Sequence, residues 1–207
     1  MTLQFKRADI VSRQRLVYLA KEVFRKSIHL CSAFVPLMLH FAYAPVLIAL
    51  SAVVTVYFLC ELLRLNGKTV PVISAVTAAA ARKRDENKFV LGPVTLSMGI
   101  IACSLLWRSD CAAIGVYALA FGDGLASLSG KLFGRVIIPF TEGKTVAGSL
   151  TCFTAIFITS FLTCGSAYAA LILASIGMFI EVLPLKDLDN LIIPVAIGGA
   201  AQALLYS

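Results

Sequence analysis

The chain has 207 residues, of which 59% are apolar and only 14% are charged, and its mean hydropathy is +0.91. Soluble globular domains are about 45–50% apolar, so this composition argues against a soluble disulfide scaffold, a disordered chain and a nucleic-acid-binding protein. The sequence therefore predicts an integral membrane protein, whose net charge of +7 must be interpreted from its position along the chain.

The N-terminal 26 residues contain seven Lys and Arg side chains and no apolar run of the kind found in a signal peptide, so we expect this segment to be retained. Apolar residues recur within it at three- and four-residue steps, namely Leu16, Leu19, Ala20, Val23 and Phe24. This spacing predicts an amphipathic helix in the cytoplasmic membrane interface. A basic topology anchor with no further role is the alternative. Residues 1–26 are accordingly assigned to a cytoplasmic or interfacial helix and residues 27–207 to a polytopic membrane domain.

Seven apolar segments are candidate membrane spans once the polar residues between them are marked. They cover residues 27–43, 44–64, 89–107, 111–130, 146–164, 167–183 and 191–206. The last carries Gly198 and Gly199, which indicate a tightly packed helix. With a cytoplasmic N-terminus, 17 of the 18 Lys and Arg residues lie inside and only Arg108 lies outside, as the positive-inside rule favours. The prediction is one all-α bundle of about seven transmembrane helices.

Few ionisable side chains lie within these spans, and those that do are near the cytoplasmic end. Asp123 is expected about 10 Å from that end at 1.5 Å per residue, and Glu61, Glu181 and His29 lie close to the ends of other spans. Polar loops on the same side add Lys131, Arg135, Glu142, Lys144, Thr145, Ser149, Lys186, Asp187, Asp189 and Asn190. Mg²⁺ takes a few carboxylates together with phosphate oxygens, so this mixture of carboxylates and cations predicts a site for a magnesium-bound polyphosphate.

Each of these groups also has a purely structural interpretation. Asp123 lies between two glycines that permit close approach of a ligand, yet its carboxylate could be a buried salt-bridge partner. Glu61 and Arg64 have the i,i+3 spacing of a helix-end ion pair. Arg25 and His29 have the i,i+4 spacing of a phosphate clamp, but they could equally anchor the helix among headgroups. The Asp-Asn pair before the last span could cap that helix, and a cap can also bind metal.

Three ordered motifs run from the N-terminal helix to the last span. They are Arg25-Lys26-x-x-His29, then Gly122-Asp123-x-x-Ala126-x-x-x-Gly130-x-x-x-Gly134-Arg135 followed by Lys144-Thr145-x-x-Gly148-Ser149, and finally Glu181 with Asp189-Asn190 and Pro194. Together they resemble the diacylglycerol/polyprenol kinase family, which includes dolichol kinase, phytol kinase and a CTP-dependent diacylglycerol kinase. The resemblance implies an integral membrane kinase that moves the terminal phosphate of a nucleoside triphosphate, commonly CTP, onto a lipid hydroxyl with Mg²⁺.

The same resemblance, together with the needs of phosphoryl transfer, implies a role for each residue. The catalytic residues are expected to be Asp123, Glu181 and Lys144, and the magnesium ligands Asp123, Glu181, Asp189 and Asn190. The residues expected to bind the nucleotide phosphates are Arg25, Lys26, His29, Lys131, Arg135, Lys144, Thr145, Gly148 and Ser149. One position departs from the family, in which a Glu usually precedes the Gly-Ser pair. This chain has Ala147 there, and Glu142 is the nearest acidic substitute.

Two other functions compete with the kinase. A CTP-dependent cytidylyltransferase acting on a phospholipid acid would release pyrophosphate, whereas a kinase would release CDP. A non-enzymatic transporter would be favoured by inverted-repeat symmetry, which the sequence does not show. The expected partners are a membrane lipid alcohol, a nucleoside triphosphate and the bilayer, with no nucleic acid. The lipid alcohol (diacylglycerol, polyprenol or phytol), the donor (CTP, ATP or UTP) and a homo-oligomeric state are left open.

Overall fold

A computed structural model describes residues 2–68, 71, 75, 77, 88–141 and 143–206, with side chains described from residue 16 onward except at residue 18. Within these ranges the main elements are helices, which are numbered in chain order as α1 (Thr2–Cys31), α2 (Val35–Phe41), α3 (Tyr43–Leu65), α4 (Gly92–Leu106), α5 (Ser109–Phe133), α6 (Val146–Cys164), α7 (Ala167–Val182) and α8 (Asp189–Tyr206). An isolated bridge between Ile137 and Thr145 closes the loop that joins α5 to α6. The predicted all-α fold is confirmed.

The first predicted span, 27–43, is not a single helix. α1 passes through residue 26 without a break and ends at Cys31, and a short 3₁₀ turn (Ser32–Phe34) then leads into α2. Pro36 lies in the first turn of α2, where its missing N–H is tolerated, whereas the same residue would break a continuous helix. The interfacial segment and the start of the first span therefore form one 30-residue helix. Their division into two units stays a prediction.

In the described part of the chain, four helices are long and apolar enough to cross a bilayer, judged by length and composition: α3, α5, α6 and α8. α4 and α7 are also apolar, but they have only 15 and 16 residues, whereas a perpendicular crossing needs about 20. These helices confirm a membrane protein, and α3 to α8 correspond to six of the seven predicted spans. The number of crossings stays a prediction.

The centre of the bundle is α8, which packs against α4, α5 and α7. Its Ile193 and Ile197 are fully buried. A side chain at Gly198 or Gly199 would approach the Trp107 ring to 2.7 Å or 2.9 Å, so only glycine permits this contact. The tight packing predicted for the last span is confirmed.

The helix α3 is the least enclosed of the four long helices, with 11% of its apolar window buried, so most of its surface is left to lipid. Its inward face carries Glu61, which is fully buried. Glu61 accepts hydrogen bonds from Arg64 at 2.7 and 2.8 Å and from the backbone N–H of Val90 at 2.9 Å. The i,i+3 ion pair is therefore present, and it fastens the segment before α4 to α3.

The predicted topology can be tested at two exposed positions at opposite ends of the bundle. Phe140 lies in the α5–α6 loop and Arg108 precedes α5. In sealed cells, Arg108→Cys should react with a membrane-impermeant maleimide, whereas Phe140→Cys should react only after lysis, because the positive-inside rule places the loop in the cytoplasm. The parent protein, with its native cysteines, measures the background. Labelling of Phe140→Cys from outside would reverse the proposed orientation.

Candidate active site

Two adjoining cavities lie at the end of the bundle where α5 ends and α6 and α8 begin. The larger has a volume of about 290 Å³ and is bounded by α1, α5, the loop before α6 and the α7–α8 connection. It is lined by nine of the predicted site residues, namely Arg25, Lys26, Asp123, Lys131, Lys144, Thr145, Gly148, Glu181 and Asp189. The smaller cavity, of about 30 Å³, lies between α1, α4 and α8 and shares Arg25, Lys26, Asp123 and Asp189 with the larger one. Residues from distant parts of the chain therefore meet around one space.

Asp123 ends a six-residue π-helical stretch, Ala118–Asp123, in the middle of α5. Such stretches are rare and occur frequently at functional sites. Asp123 is 6% exposed, and its Oδ2 lies 2.5 Å from Lys26 Nζ and 3.2 Å from His29 Nδ1. The salt bridge that the sequence left open is therefore present, and the same residue also lines both cavities.

The glycines on either side of Asp123 face neighbouring helices. A side chain at Gly122 would lie 2.8 Å from Ile156 of α6, and one at Gly124 would lie 3.4 Å from Leu30 of α1. Because these glycines have no side chain, α6 and α1 can approach α5 closely near Asp123. Helices α1 and α6 therefore lie in the space beside these glycines that the sequence suggested for a ligand. This packing brings Lys26 of α1 to the Asp123 carboxylate.

A second close approach joins α5 to the start of α6. Thr145 caps α6, since its Oγ1 accepts a hydrogen bond from the Gly148 N–H at 3.2 Å. A side chain at Gly130 would lie 2.9 Å from that hydroxyl, and one at Gly148 would lie 2.9 Å from the Ala126 carbonyl oxygen. These glycines therefore have a packing role. Binding of phosphate by the backbone near Gly148 stays a prediction.

Glu181, at the end of α7, also lines the larger cavity. Glu181 is 7% exposed, its Oε1 lies 3.3 Å from Lys144 Nζ, and its Oε2 accepts a hydrogen bond from Ser149 Oγ at 3.2 Å. Ser149 thus contacts the carboxylate from α6 and is not among the residues that line the cavity. The loop before α6 and the end of α7 therefore bring a lysine and a carboxylate to the same space.

Sequence reasoning missed Glu22, a buried carboxylate on α1. Its Oε1 accepts hydrogen bonds from Arg25 Nη2 and Ser127 Oγ, both at 2.5 Å, and its Oε2 pairs with Lys131 Nζ at 2.5 Å. Burial by itself would raise the pKa of this carboxyl, but the two cations and the hydroxyl outweigh burial and lower the pKa to about 2. Glu22 therefore holds two of the predicted phosphate-binding cations and ties α1 to α5.

The helix α1 turns its polar face toward the bundle. Glu22, Lys26 and His29 have the i, i+4, i+7 spacing of one helix face and are at most 5% exposed, whereas Leu16 and Val23 are 66% and 53% exposed. The apolar face predicted for the membrane interface is thus the outer face of the helix. The spacing of these polar residues could have identified Glu22. The charged residues around it were interpreted as a solvent-exposed surface, so the pattern was not recognised.

Three of the predicted residues lie apart from the larger cavity, in addition to Ser149. Arg135 is exposed beyond the end of α5 and lines neither cavity. Asn190 donates a hydrogen bond from Nδ2 to Thr95 Oγ1 at 3.1 Å, which ties α8 to α4, and it borders the smaller cavity. His29 also borders only the smaller cavity.

Two residues from the predicted polar loops have different outcomes. Lys186, which was not assigned to the site, lines the larger cavity. Glu142 lies outside the described residues, so its compensation for Ala147 stays a prediction. Ala147 itself lies in the first turn of α6, where its carbonyl oxygen accepts a hydrogen bond from Thr151 Oγ1 at 2.9 Å.

The described lining of the larger cavity carries more positive than negative charge. Its charged members are the cations Arg25, Lys26, Lys131, Lys144 and Lys186 and the carboxylates Asp123, Glu181 and Asp189. Within the described part of the chain, no three His, Cys, Asp or Glu side chains converge as a metal cluster. Mg²⁺ bound to a nucleotide needs only one or two protein carboxylates, because phosphate oxygens and water supply the other ligands. The residues therefore fit a magnesium ion that arrives on a triphosphate.

Comparison with curated proteins confirms the resemblance seen in the motifs. The chain is 35% identical over 82 residues to farnesol kinase, chloroplastic, of Arabidopsis thaliana, a match that covers 39% of this chain and 27% of the relative. It is 29% identical over 143 residues to probable phytol kinase 2, chloroplastic, of Oryza sativa subsp. japonica (66% and 46%). It is 26% identical over 147 residues to CTP-dependent diacylglycerol kinase 1 of Saccharomyces cerevisiae (70% and 51%).

These matches are partial for both partners, since the chain spans between 27% and 51% of the length of the three relatives. No family model matches the chain, and no solved structure matches it.

Proposed function

We propose that this membrane protein is a kinase that transfers the terminal phosphoryl group of a nucleoside triphosphate, CTP, to the hydroxyl of a membrane lipid alcohol. The observation that carries the proposal is the larger cavity, where five cations and three carboxylates meet at one end of an apolar helical bundle. Relatives named farnesol kinase and CTP-dependent diacylglycerol kinase support the same class of reaction, and the second supports CTP as the donor. The distribution of Lys and Arg supports a cytoplasmic N-terminus and a cytoplasmic opening of the cavity.

Binding of the nucleotide is proposed to occur by exchange of ion pairs. In the structure Lys26 pairs with Asp123 and Lys144 pairs with Glu181. On entry of a triphosphate, Lys26 and Lys144 would pair with its phosphate oxygens, and Asp123 and Glu181 would hold the magnesium ion that it brings. Every buried charge then keeps a partner, which matters because an unpaired buried ion is strongly destabilising.

Phosphoryl transfer asks the protein mainly for alignment and charge neutralisation. The alcohol oxygen forms a bond to the terminal phosphorus while the bond from that phosphorus to the bridging oxygen breaks, and the nucleoside diphosphate leaves with the electron pair. The alcohol proton passes to Asp123, one of the two carboxylates that line both cavities. A bound magnesium ion would neutralise charge on the phosphates, while Lys131, Lys144 and Arg25 would hold them in line.

A lipid substrate explains why such a site lies within a membrane protein. The 25 residues of α5 span about 37 Å, which exceeds the hydrocarbon core of about 30 Å, so its last turns can extend into the headgroup region. Asp123 precedes those turns and lies near the boundary between the acyl chains and the headgroups. A lipid hydroxyl and a cytosolic nucleotide can both reach a carboxylate at that depth.

The proposal is tested with purified protein in lipid nanodiscs, supplied with Mg²⁺, one of CTP, ATP or UTP, and one of diacylglycerol, farnesol, phytol or a polyprenol. Mass spectrometry should find a lipid monophosphate and CDP in equal amounts. In a parallel reaction with phosphatidic acid and CTP, pyrophosphate together with a CDP-lipid would instead identify a cytidylyltransferase. Absence of any phosphorylated lipid with all donors and acceptors would contradict the kinase and favour a transporter.

The assignment of Lys144 predicts an effect on the nucleotide and not on the lipid. Lys144→Ala should raise the apparent KM for the nucleotide about tenfold or more, while the apparent KM for the alcohol stays within about twofold, because the lysine reaches the phosphates. Lys68→Ala, which removes an exposed lysine after α3, is the matched control and should behave as the parent. An effect of Lys144→Ala confined to the alcohol KM would overturn the assignment.

A further inference from the structure

The connection between α5 and α6 exposes large apolar side chains. Residues 134–141 and 143–145 form a hairpin, the α5–α6 hairpin, which is closed by the bridge between Ile137 and Thr145. Five apolar side chains here are between 63% and 103% exposed: Leu132 and Phe133 in the last turn of α5, then Val136, Ile137 and Phe140 in the hairpin. Loops that face water are usually polar, whereas neighbouring exposed apolar side chains mark a surface that binds a protein or a membrane.

Polar groups of the hairpin are paired with one another across the loop. The Ile138 N–H donates to the Lys144 carbonyl oxygen at 2.8 Å, and the Val146 N–H donates to the Val136 carbonyl oxygen at 3.0 Å. At the turn, Thr141 Oγ1 donates to the Ile138 carbonyl oxygen at 2.7 Å and accepts from the Lys144 N–H at 3.2 Å. Backbone that is not helical tolerates membrane depth only where its polar groups are paired. These internal bonds therefore suit a hairpin that enters the headgroup region of a bilayer.

Phe140 lies at the tip of the hairpin in a conformation that is unfavourable in water. Its φ of 61° lies in the left-handed region, which is costly for a residue with a β-carbon. Its ring is fully exposed, so burial within the protein does not offset that cost. A partner that covers the ring would supply the missing stabilisation.

The hairpin has a polar side toward the larger cavity and an apolar side away from it. Among its described residues, Lys144 and Thr145 line the cavity, whereas the exposed apolar side chains do not. The exposed apolar surface continues into the first turns of α6, where Val146 and Leu150 are also exposed. Because α5 and α6 are long and apolar enough to cross a bilayer, the lipid around these two helices would lie directly beside the hairpin.

The charge of this region complements a phospholipid surface. Arg135, at the base of the hairpin, is exposed and lines neither cavity. A guanidinium group binds phosphate through paired hydrogen bonds, and anionic headgroups attract exposed cations. Exposed apolar side chains together with a cation are typical of segments that lie in the membrane interface. This composition favours a lipid surface over a protein as the partner.

We propose that the α5–α6 hairpin docks on the cytoplasmic leaflet of the bilayer, with the Phe140 ring at the boundary between headgroups and acyl chains and Arg135 on headgroup phosphates. The proposal goes beyond the proposed reaction and does not depend on it. Arg135 then binds a lipid phosphate, in place of the nucleotide phosphate that its motif implied. The headgroup region contains water, so a thiol at residue 140 stays open to labelling from the cytoplasm.

Docking is tested by tryptophan fluorescence in nanodiscs of mixed phosphatidylcholine and phosphatidylglycerol. The chain has one tryptophan, Trp107, whose emission in the parent is the background. Phe140→Trp should add a blue-shifted emission that is quenched about twofold or more by phospholipids brominated near the glycerol end of the acyl chain, and less by those brominated near the methyl end. Val53→Trp is the matched control, since Val53 is exposed near the middle of α3, and its order of quenching should be the reverse.

Two further changes test the apolar and the charged parts of the hairpin separately. Val136→Asp, made in the Phe140→Trp protein, should reduce the quenching to about half or less, because a carboxylate opposes insertion into an anionic surface. Arg135→Gln should reduce quenching more in nanodiscs that contain phosphatidylglycerol than in phosphatidylcholine alone. Unchanged emission from Trp107 in each variant shows that the bundle is intact.

Three results would overturn the proposal. Emission like that of tryptophan in water, without quenching, would show that the hairpin lies free of the bilayer. A blue shift without quenching by either brominated lipid would show that protein covers the ring, for example a second copy of the chain. Quenching that is unaffected by Val136→Asp and by Arg135→Gln would show that neither the apolar side nor the charge of the hairpin determines its position.

Discussion

Replacement of Asp123 by Asn is expected to lower turnover at least about a hundredfold, because the amide has the shape of the carboxylate but neither its charge for magnesium nor its capacity to take a proton. The parent carboxylate also neutralises Lys26 in a buried contact of 2.5 Å. Loss of one member of a buried ion pair costs about 3–5 kcal/mol, so the single variant should also be less stable. Turnover with labelled nucleotide and the thermal midpoint of unfolding are the two measurements.

A double variant separates these two effects. Asp123→Asn combined with Lys26→Met removes both charges, so the thermal midpoint should return toward that of the parent while turnover stays lost. The variant Lys26→Met alone completes the cycle. Activity of Asp123→Asn within about threefold of the parent, or recovery of turnover in the double variant, would refute the role of the carboxylate.

Replacement of Glu22 by Gln should destabilise the protein and make its stability unusually dependent on nucleotide. In the parent protein the Glu22 carboxylate forms ion pairs with both Arg25 and Lys131 and neutralises their charges. Without that charge the two cations repel each other and lose a buried partner, which costs about 3 kcal/mol or more. The phosphates of a bound nucleotide would supply the missing charge, so magnesium nucleotide should raise the thermal midpoint more in Glu22→Gln than in the parent.

The pH dependence of stability is an independent test of the role of the Glu22 carboxylate. Its pKa falls from an ordinary 4.5 to about 2 in the folded protein, so its stabilisation is complete above pH 4.5 and is lost as the pH falls toward 2. The shift corresponds to about 3 kcal/mol of folding free energy, which the parent loses as the pH falls over that range. Glu22→Gln lacks this carboxyl, so its stability should not fall by that amount. Equal acid sensitivity of parent and Glu22→Gln would contradict the assignment.

The site residues within apolar segments could be predicted because ionisable groups are rare there. Asp123 and Glu181 stood out for that reason, and the structure brings both to the larger cavity. Glu22 could not be distinguished in the same way, since it lies among seven basic residues where one acidic side chain is unremarkable. Its partner Lys131 is more than a hundred residues away, and no local spacing encodes such a pair.

Helix boundaries could be predicted where polar residues interrupt an apolar run. They could not be predicted where a proline ends or begins a helix inside such a run. The six later spans correspond to α3 to α8. The first does not, because hydropathy is continuous across Ser32–Phe34 whereas Pro36 begins a new helix. The glycines of the central motif are predicted to admit a ligand, and the structure adds a packing role at the contact between α5 and α6. Only the assembled helices reveal which neighbour lies against each glycine.

The π-helical stretch Ala118–Asp123 sets the rotational phase between the two halves of α5. Before it, Ile114 points into the bundle core, and after it, Ser127 and Lys131 point toward α1. Each residue of an α-helix advances about 100° around the axis, and a π-helical turn accommodates an extra residue. Deletion of one residue from the stretch would leave both halves helical but rotate the half that carries the site by about 100°, away from the charges of α1. The length of this segment is therefore as much a part of the site as the side chains that it presents.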